Sequence, residues 1–172
     1  NDRPGIMLSS AVKKYADYYG VCCGKKNIFF TNNDSAYESA ISLVKKGMKV
    51  EAIIDIREKS NSSIINEAIS YGIKIYWSHT VIDTYGYRRL KKISIMQLSK
   101  DCQSTIGSKV DIDCDCLGIS GGWTPAVHLF TQSGGKLKFR EKDQVFIPNK
   151  YPSKQISIGS CNGDFELEEI IK

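Results

Sequence analysis

The chain has 172 residues, of which 41% are hydrophobic and 25% charged, and its 24 Lys and Arg exceed its 19 Asp and Glu by a formal net charge of +5. This balance is ordinary for a globular protein and excludes disordered, collagen-like and coiled-coil chains. No apolar run approaches the roughly 20 residues that cross a bilayer, and basic residues alternate with acidic ones, so we expect a cytoplasmic protein without membrane or nucleic-acid partners.

Helices and strands are predicted to alternate through the first half of the chain. After an extended opening segment, a helix is expected over 9–19, capped by Ser9 or Ser10, with Tyr15 and Tyr19 on its apolar face. Apolar strands are predicted at 27–31, 50–56 and 73–77, separated by helices at 35–46 and 62–71. A strand, a helix and a strand within about thirty residues predict a right-handed parallel crossover.

The second half of the chain has a different pattern. Antiparallel strands are predicted at 79–85, 88–98 and 109–112, with turns at Tyr85-Gly86 and near Gly107. Further elements are predicted as strands at 116–120, 144–147 and 155–158, a short helix at 126–130 and the start of a helix at 165–171. Together the two halves predict an α/β fold with parallel βαβ units and an antiparallel meander.

The turn after the strand at 27–31 is a candidate nucleotide site. Where a dinucleotide-binding fingerprint has G-x-G-x-x-G/A, this chain has Thr31, Asn33 and Ala36, so only the third position is kept. Asp55 ends the next strand, where an acid would bind a ribose 2′-hydroxyl. Two interpretations stay open: a weak nucleotide site with Asn33 and Asp55 as contacts, or an architecture that persists without the ligand.

Two glycine-rich turns are further candidate cofactor contacts. Gly121 and Gly122 follow the strand at 116–120, and the carboxyl ends of such strands are where ligands of open α/β folds bind. Gly159, Asn162 and Gly163 form a second turn that would let backbone approach a cofactor. Ordinary turn chemistry is the alternative explanation for both segments.

No catalytic or metal-binding residue is predicted. The two histidines have no Ser or Cys at a spacing typical of a nucleophile and its base. The six cysteines include no Cys-x-x-Cys pair and lack the spacing of a zinc site or of a secreted disulfide framework.

Four segments, taken together, resemble the α subunit of heterotetrameric sarcosine oxidase. They are DRPGIML at 2–8, FTNNDSAY at 30–37, Asp55-x-Arg57, and SGGWTPAVHLFxQSGGKL at 120–137, where x is a position outside the resemblance. The resemblance spans nearly the whole chain in the same order. It implies a Rossmann-like fold with two dinucleotide-binding domains, similar to the pyridine nucleotide-disulfide oxidoreductases.

The resemblance also implies a domain organisation. Residues 1–26 would belong to a first domain of the FAD or NAD type and would flank an inserted NAD-binding-like module at 27–115. Residues 116–172 would return to the first domain, truncated at its C-terminus. Since the chain also begins without an initiator Met, we expect it to be the central fragment of a longer polypeptide.

The function implied by the resemblance is that of an oxidoreductase acting on CH-NH donors. Such a complex oxidatively demethylates sarcosine to glycine, with formation of hydrogen peroxide and 5,10-methylenetetrahydrofolate. The α subunit would hold NAD in a mainly structural role, the β subunit would hold or share FAD and FMN, and tetrahydrofolate would bind in a missing C-terminal region. The β, γ and δ subunits would be the partners, and the chain by itself would be inactive.

Other functions stay open as alternatives. The chain could be a non-catalytic scaffold or subunit-interaction module with degenerate nucleotide pockets. It could also be part of a dye-linked amino-acid dehydrogenase, which shares this kind of subunit, or of an NAD(P)H-flavin reductase. A flavin reductase of the disulfide-reductase type predicts an intact glycine fingerprint or a Cys-x-x-Cys pair, and the sequence has neither.

Overall fold

A computed structural model describes residues 3–142, 144–152, 154–165 and 170–171. The chain divides into two units, with the division between Gly122 and Trp123. The first unit contains a parallel sheet and an antiparallel sheet, and the second contains an antiparallel hairpin.

The first unit has eight strands and three helices among its described residues. In chain order they are β1 (Ile6–Leu8), α1 (Ser9–Tyr19), β2 (Asn27–Thr31), α2 (Ser35–Lys45), β3 (Val50–Asp55), α3 (Ser63–Ser70), β4 (Lys74–Trp77), β5 (His79–Tyr85), β6 (Lys92–Leu98), β7 (Thr105–Asp113) and β8 (Cys116–Ser120). The parallel sheet has the order β1-β8-β2-β3-β4, and β5-β6-β7 form the antiparallel sheet. The predicted crossovers and meander are therefore confirmed.

The three central parallel strands, β2, β3 and β8, are largely buried on both faces, which explains their nearly continuous apolar sequences. Phe29 and Ile53 point into a core formed with the helices, where they pack with residues such as Leu43. Their neighbours Ile28 and Ile54 point to the opposite face and pack against the antiparallel strands. Since successive side chains of a strand alternate between faces, this sheet is the middle layer of three.

Helix α1 follows its prediction in extent but not in detail. Gly20 ends it in the left-handed conformation at φ 64°, as the sequence predicts. The predicted serine cap is wrong, because the cap position is Leu8 and the Ser9 hydroxyl instead donates to the Ser39 hydroxyl at 2.9 Å. Tyr15 and Tyr19 of the predicted apolar face are exposed, whereas Val12 and Ala16 of the same helix are buried.

The antiparallel sheet corrects one predicted turn. Gly86 does form a turn, with a positive φ of 144°, and an added Cβ there would collide with the Arg89 carbonyl oxygen. Gly107 lies inside β7, so the turn between β6 and β7 falls at 99–104 instead. The pairing of β6 with β7 shifts register between Ile95 and Gln97, and this irregularity accommodates the glycine in the strand.

The second unit contains a short helix and a hairpin. Its elements are α4 (His128–Gln132), β9 (Lys136–Arg140), β10 (Val145–Lys150) and a 3-10 helix over Gly159–Cys161. The strand β9 was not predicted, and the predicted strand at 155–158 is wrong because those residues have no regular structure. Most of the predicted helix at 165–171 lies outside the described residues.

The division of the chain differs from the predicted domain boundaries. Strand β1 and helix α1, from the segment 1–26, share one unit with the segment 27–115, and β1 pairs with β8. The second unit begins only at Trp123. The assignment of the outer segments to a separate first domain stays a prediction.

Candidate functional site

The candidate site lies at the edge of the parallel sheet where β2, β3 and β8 end, here called the carboxyl edge. Thr31, the last residue of β2, pairs with Ser120 of β8 on one side and with Asp55 of β3 on the other. The parallel topology thus brings the predicted Asn33 and Asp55 to the same edge as the Gly121-Gly122 turn.

The turn from β2 into α2 is closed by its own side chains. The Thr31 hydroxyl accepts the Asn33 N–H at 3.0 Å and donates to the Asn33 carbonyl at 2.8 Å. The side-chain oxygen of Asn33 accepts the Ser35 N–H at 3.0 Å and the Ser35 hydroxyl at 2.6 Å. From one position before the cap residue Asp34, Asn33 therefore satisfies an N–H at the start of α2, as Asn side chains often do in turns.

Asn33 and its neighbours also hold the end of β8. The Asn33 amide nitrogen donates to the Ser120 hydroxyl at 3.1 Å, and the hydroxyls of Ser35 and Ser120 lie 3.0 Å apart. The Asn32 amide donates to the Gly121 carbonyl at 3.1 Å. Gly122 has a positive φ of 97°, so the turn requires glycine there, whereas no atom lies within 4 Å of an added Cβ at Gly121.

Asp55, the predicted ribose contact, has no exposed surface. One carboxylate oxygen accepts the Tyr37 hydroxyl at 2.8 Å and the Arg57 guanidinium at 2.8 Å, and the other accepts the Arg57 backbone N–H at 2.9 Å. Arg57 also lies 2.8 Å from a carboxylate oxygen of Asp34. A ribose hydroxyl would have to displace these partners to reach Asp55.

Burial and hydrogen bonding determine the protonation states of Tyr37 and Arg57, the two side chains that bond Asp55. Burial, together with the hydrogen bond to Asp55, raises the pKa of the Tyr37 hydroxyl well above its ordinary value. Hydrogen bonds to Asp55 and Asp34 raise the pKa of Arg57 against the opposing effect of burial. Tyr37 therefore stays a neutral donor and Arg57 a cation at any physiological pH.

These residues do not fit a dinucleotide bound as the fingerprint describes. Such binding requires free backbone N–H groups at the start of α2 and an acid accessible to the ribose. The Ser35 N–H is already bonded to Asn33, and Asp55 is buried against Tyr37 and Arg57.

Sequence reasoning missed Tyr37 and Ser120 as parts of this edge. Tyr37 lies 18 positions from Asp55, and Ser120 lies 87 positions from Asn33. Neither contact has a local sequence pattern. The sequence indicates only that Tyr37, directly after Ala36, places a hydroxyl group on an otherwise apolar helix face.

The remaining predicted cofactor residues lie in the second unit. Gly159 opens the 3-10 helix at φ 60° and accepts the Asp164 N–H at 3.0 Å. The Asn162 amide donates to Asp164 at 2.9 Å, and Arg140 donates to the Gly163 carbonyl at 2.7 Å. An added Cβ at Gly163 would lie 2.8 Å from Ile147. Packing within the unit thus explains this glycine without a ligand.

The two buried cysteines are not activated thiols. Burial raises the pKa of the Cys114 and Cys116 thiols to about 12. Within the residues that the structure describes, no three His, Cys, Asp or Glu side chains are placed to hold a metal ion. The helices in the same ranges are all too short or too polar to span a bilayer.

Comparison with curated proteins identifies close relatives. No protein-family model matches the chain. Sarcosine oxidase subunit alpha from Corynebacterium sp. strain P-1 is 34% identical over 168 residues, which are 96% of this chain and 17% of that protein. The same subunit from Corynebacterium sp. strain U-96 is 31% identical over 163 residues, 95% of this chain and 17% of that protein. The predicted resemblance is confirmed, and the chain spans about 17% of the length of these relatives.

Comparison with solved structures identifies the fold. The HOCl-induced flavoprotein disulfide reductase RclA from Escherichia coli matches with a TM-score of 0.65 and 14% identity, over 98% of this chain and 37% of that one. Thioredoxin reductase from T. acidophilum matches with a TM-score of 0.59 and 15% identity, over 92% and 53%. The predicted fold class, similar to the pyridine nucleotide-disulfide oxidoreductases, is therefore confirmed.

Proposed function

We propose that the chain is the central, nucleotide-binding-like region of a sarcosine oxidase α subunit and so part of an oxidoreductase. The observation that supports this most strongly is 34% identity to such a subunit over 96% of the chain. The parallel sheet with its antiparallel meander agrees with this assignment. In the proposed reaction, the complex oxidises sarcosine with O₂ to give glycine and hydrogen peroxide, and the methyl carbon passes to tetrahydrofolate as 5,10-methylenetetrahydrofolate.

The proposal assigns no reacting group to this chain. The partners would be the β, γ and δ subunits in the cytoplasm, FAD and FMN would be held by or with the β subunit, and tetrahydrofolate would bind elsewhere in the α subunit. NAD would have a structural role in the α subunit. Its proposed contacts in this chain are Gly159, Asn162 and Gly163 of the second unit, and Gly121 and Gly122 of the first unit are a separate candidate.

A second candidate function is a scaffold module that contributes only subunit contacts. The closed carboxyl edge favours it, because Asn33 and Asp55 have no free groups for a nucleotide. The two candidates are compatible, since a region without catalytic residues can support an oxidase assembled around it. Membership of a dye-linked amino-acid dehydrogenase is the remaining alternative for the whole enzyme.

Peroxide formation from sarcosine tests the proposed function. We expect none from the purified chain with added FAD and FMN, and sarcosine-dependent peroxide from the full-length α polypeptide assembled with its partner subunits. Peroxide from the chain alone would contradict its predicted inactivity. If the assembly reduces a dye but consumes no oxygen, the enzyme would be a dehydrogenase and not an oxidase. The assembly without sarcosine is the control.

Calorimetric titration with NAD, FAD and ATP tests the proposed role in nucleotide binding. We expect binding by the full-length α polypeptide and none by the present chain, because the carboxyl edge is closed. Micromolar binding by the chain that is lost in Asp55→Ala would show that the degenerate fingerprint is itself a working site.

A further inference from the structure

The carboxyl edge combines two features that a bound dinucleotide normally supplies from outside the protein. In dinucleotide-binding folds, a phosphate group accepts the free N–H groups at a helix start, and a ribose hydroxyl donates to an acid at the end of the second strand. Here both positions are held by side chains of the protein.

The first replacement is at the start of α2. The Asn33 side-chain oxygen lies 3.0 Å from the Ser35 nitrogen and 2.6 Å from the Ser35 hydroxyl. An amide oxygen carries partial negative charge, which the positive end of the helix dipole favours as it favours a phosphate oxygen. Through its nitrogen, the same Asn33 amide also bonds Ser120, so one side chain joins α2 to the end of β8.

The second replacement is at the end of β3. The Tyr37 hydroxyl donates to Asp55 at 2.8 Å, the type of bond that a ribose hydroxyl would make. Tyr37 and Asp55 both have no exposed surface, so this bond is shielded from water. Arg57 neutralises the carboxylate through its guanidinium.

We propose that the first unit contains internal replacements for a dinucleotide: the Asn33 amide in place of a phosphate, and the Tyr37 hydroxyl in place of a ribose hydroxyl. The carboxyl edge is consequently held together in the absence of any nucleotide. This goes beyond the proposed function, because it explains how a dinucleotide-type sheet keeps its binding edge ordered without a ligand.

Amide hydrogen exchange of Ser35 in the full 172-residue chain tests the first replacement. Without ligand, we expect this amide to exchange at least about tenfold more slowly than an unprotected one, because its N–H is bonded to Asn33. Millimolar inorganic pyrophosphate should leave both the exchange rate and the chemical shift of this amide unchanged. Fast exchange in the free protein, or a shift on adding pyrophosphate, would overturn the proposal.

The variant Asn33→Gly tests whether the Asn33 amide stands in for a phosphate group or only bonds the start of α2. It should lose the protection of the Ser35 amide and regain it when pyrophosphate is added, whereas Asn32→Gly should keep the protection throughout, since Asn32 does not bond Ser35. A folded Asn33→Gly whose Ser35 amide ignores pyrophosphate would overturn the phosphate analogy. If this variant does not fold, the measurement on the unmodified chain still decides the question.

Discussion

Removal of one hydroxyl tests whether the Tyr37–Asp55 bond holds the carboxyl edge. In Tyr37→Phe the ring remains, and its stacked contact with Trp77, at 6.4 Å between ring centroids, is retained. The change removes only the donor that lies 2.8 Å from the Asp55 carboxylate. Because Asp55 has no exposed surface, water cannot replace the lost hydroxyl without opening the core.

The expected cost follows from the chemistry of this bond. A hydrogen bond to a charged group contributes about 1.5–3 kcal/mol, and Arg57 still neutralises the carboxylate in the variant, so we expect a loss of about 2 kcal/mol. For a chain of this size, that loss lowers Tm by about 4–8 °C. Since burial raises the pKa of Tyr37, its hydroxyl stays protonated below its ordinary pKa of 10.0, and the loss should be constant through neutral pH.

Urea unfolding followed by tryptophan fluorescence measures this loss. The chain has two tryptophans, and Trp123→Phe as the background leaves Trp77, which stacks on Tyr37, as the reporter of the first unit. Tyr18→Phe is the matched control, because Tyr18 is 78% exposed and its change should cost under about 0.5 kcal/mol. Equal stabilities for Tyr37→Phe and the control would refute the reasoning.

Three further predictions concern other parts of the chain. Hydrogen bonds from a lysine and a serine lower the pKa of Asp17 from 3.8 to about 2, so the charged carboxylate stabilises the fold above about pH 4 and this stabilisation is lost as the pH falls to about 2. Asp17→Asn should therefore lower the urea midpoint at neutral pH but not near pH 2. An equal difference between variant and unmodified chain at both pH values would contradict this. Iodoacetamide at neutral pH should alkylate the three exposed cysteines of the native chain but not Cys114 or Cys116, because burial raises the pKa of those two thiols to about 12. Peptide mass spectrometry identifies the alkylated residues, and a modified Cys114 or Cys116 in the native chain would contradict the prediction. Gly118→Ala should lower the free energy of unfolding in urea by about 1–3 kcal/mol, because the added carbon would lie 2.7 Å from an aromatic ring of β2. Gly121→Ala is the control and should cost under about 0.5 kcal/mol, since no atom lies within 4 Å of its added carbon. Similar losses for both variants would exclude crowding as the cause.

Much of the first unit could be predicted because its local and long-range preferences agree. The strands β2 and β8 have the predicted bounds, since short apolar runs between turn residues suit a sheet buried on both faces. Helix α2 also begins at the predicted residue, where a polar turn precedes an amphipathic segment. Agreement of pattern and packing is what makes such elements predictable.

The second unit and parts of the meander could not be predicted in the same way. Strand β9 has the sequence Lys-Leu-Lys-Phe-Arg, and its Phe139 is exposed beside Phe146 of β10, so pairing between strands and not burial defines it. Gly107 suggested a turn from its residue type alone, but the register shift that places it within β7 depends on pairing with β6. Such long-range pairing leaves no local sequence pattern.

The carboxyl edge shows why an acid at the end of a second strand is weak evidence for a ribose contact by itself. A buried carboxylate without partners is costly by several kcal/mol, so a folded protein must satisfy it with a ligand or with its own side chains. Tyr37 and Arg57 satisfy Asp55 here, and Asn33 does the same for the start of α2. Sequence comparison of the acid alone cannot distinguish the two cases. The side chains that face the acid do distinguish them. A Tyr on the crossover helix and an Arg two residues after the acid occupy the positions that a ribose would need.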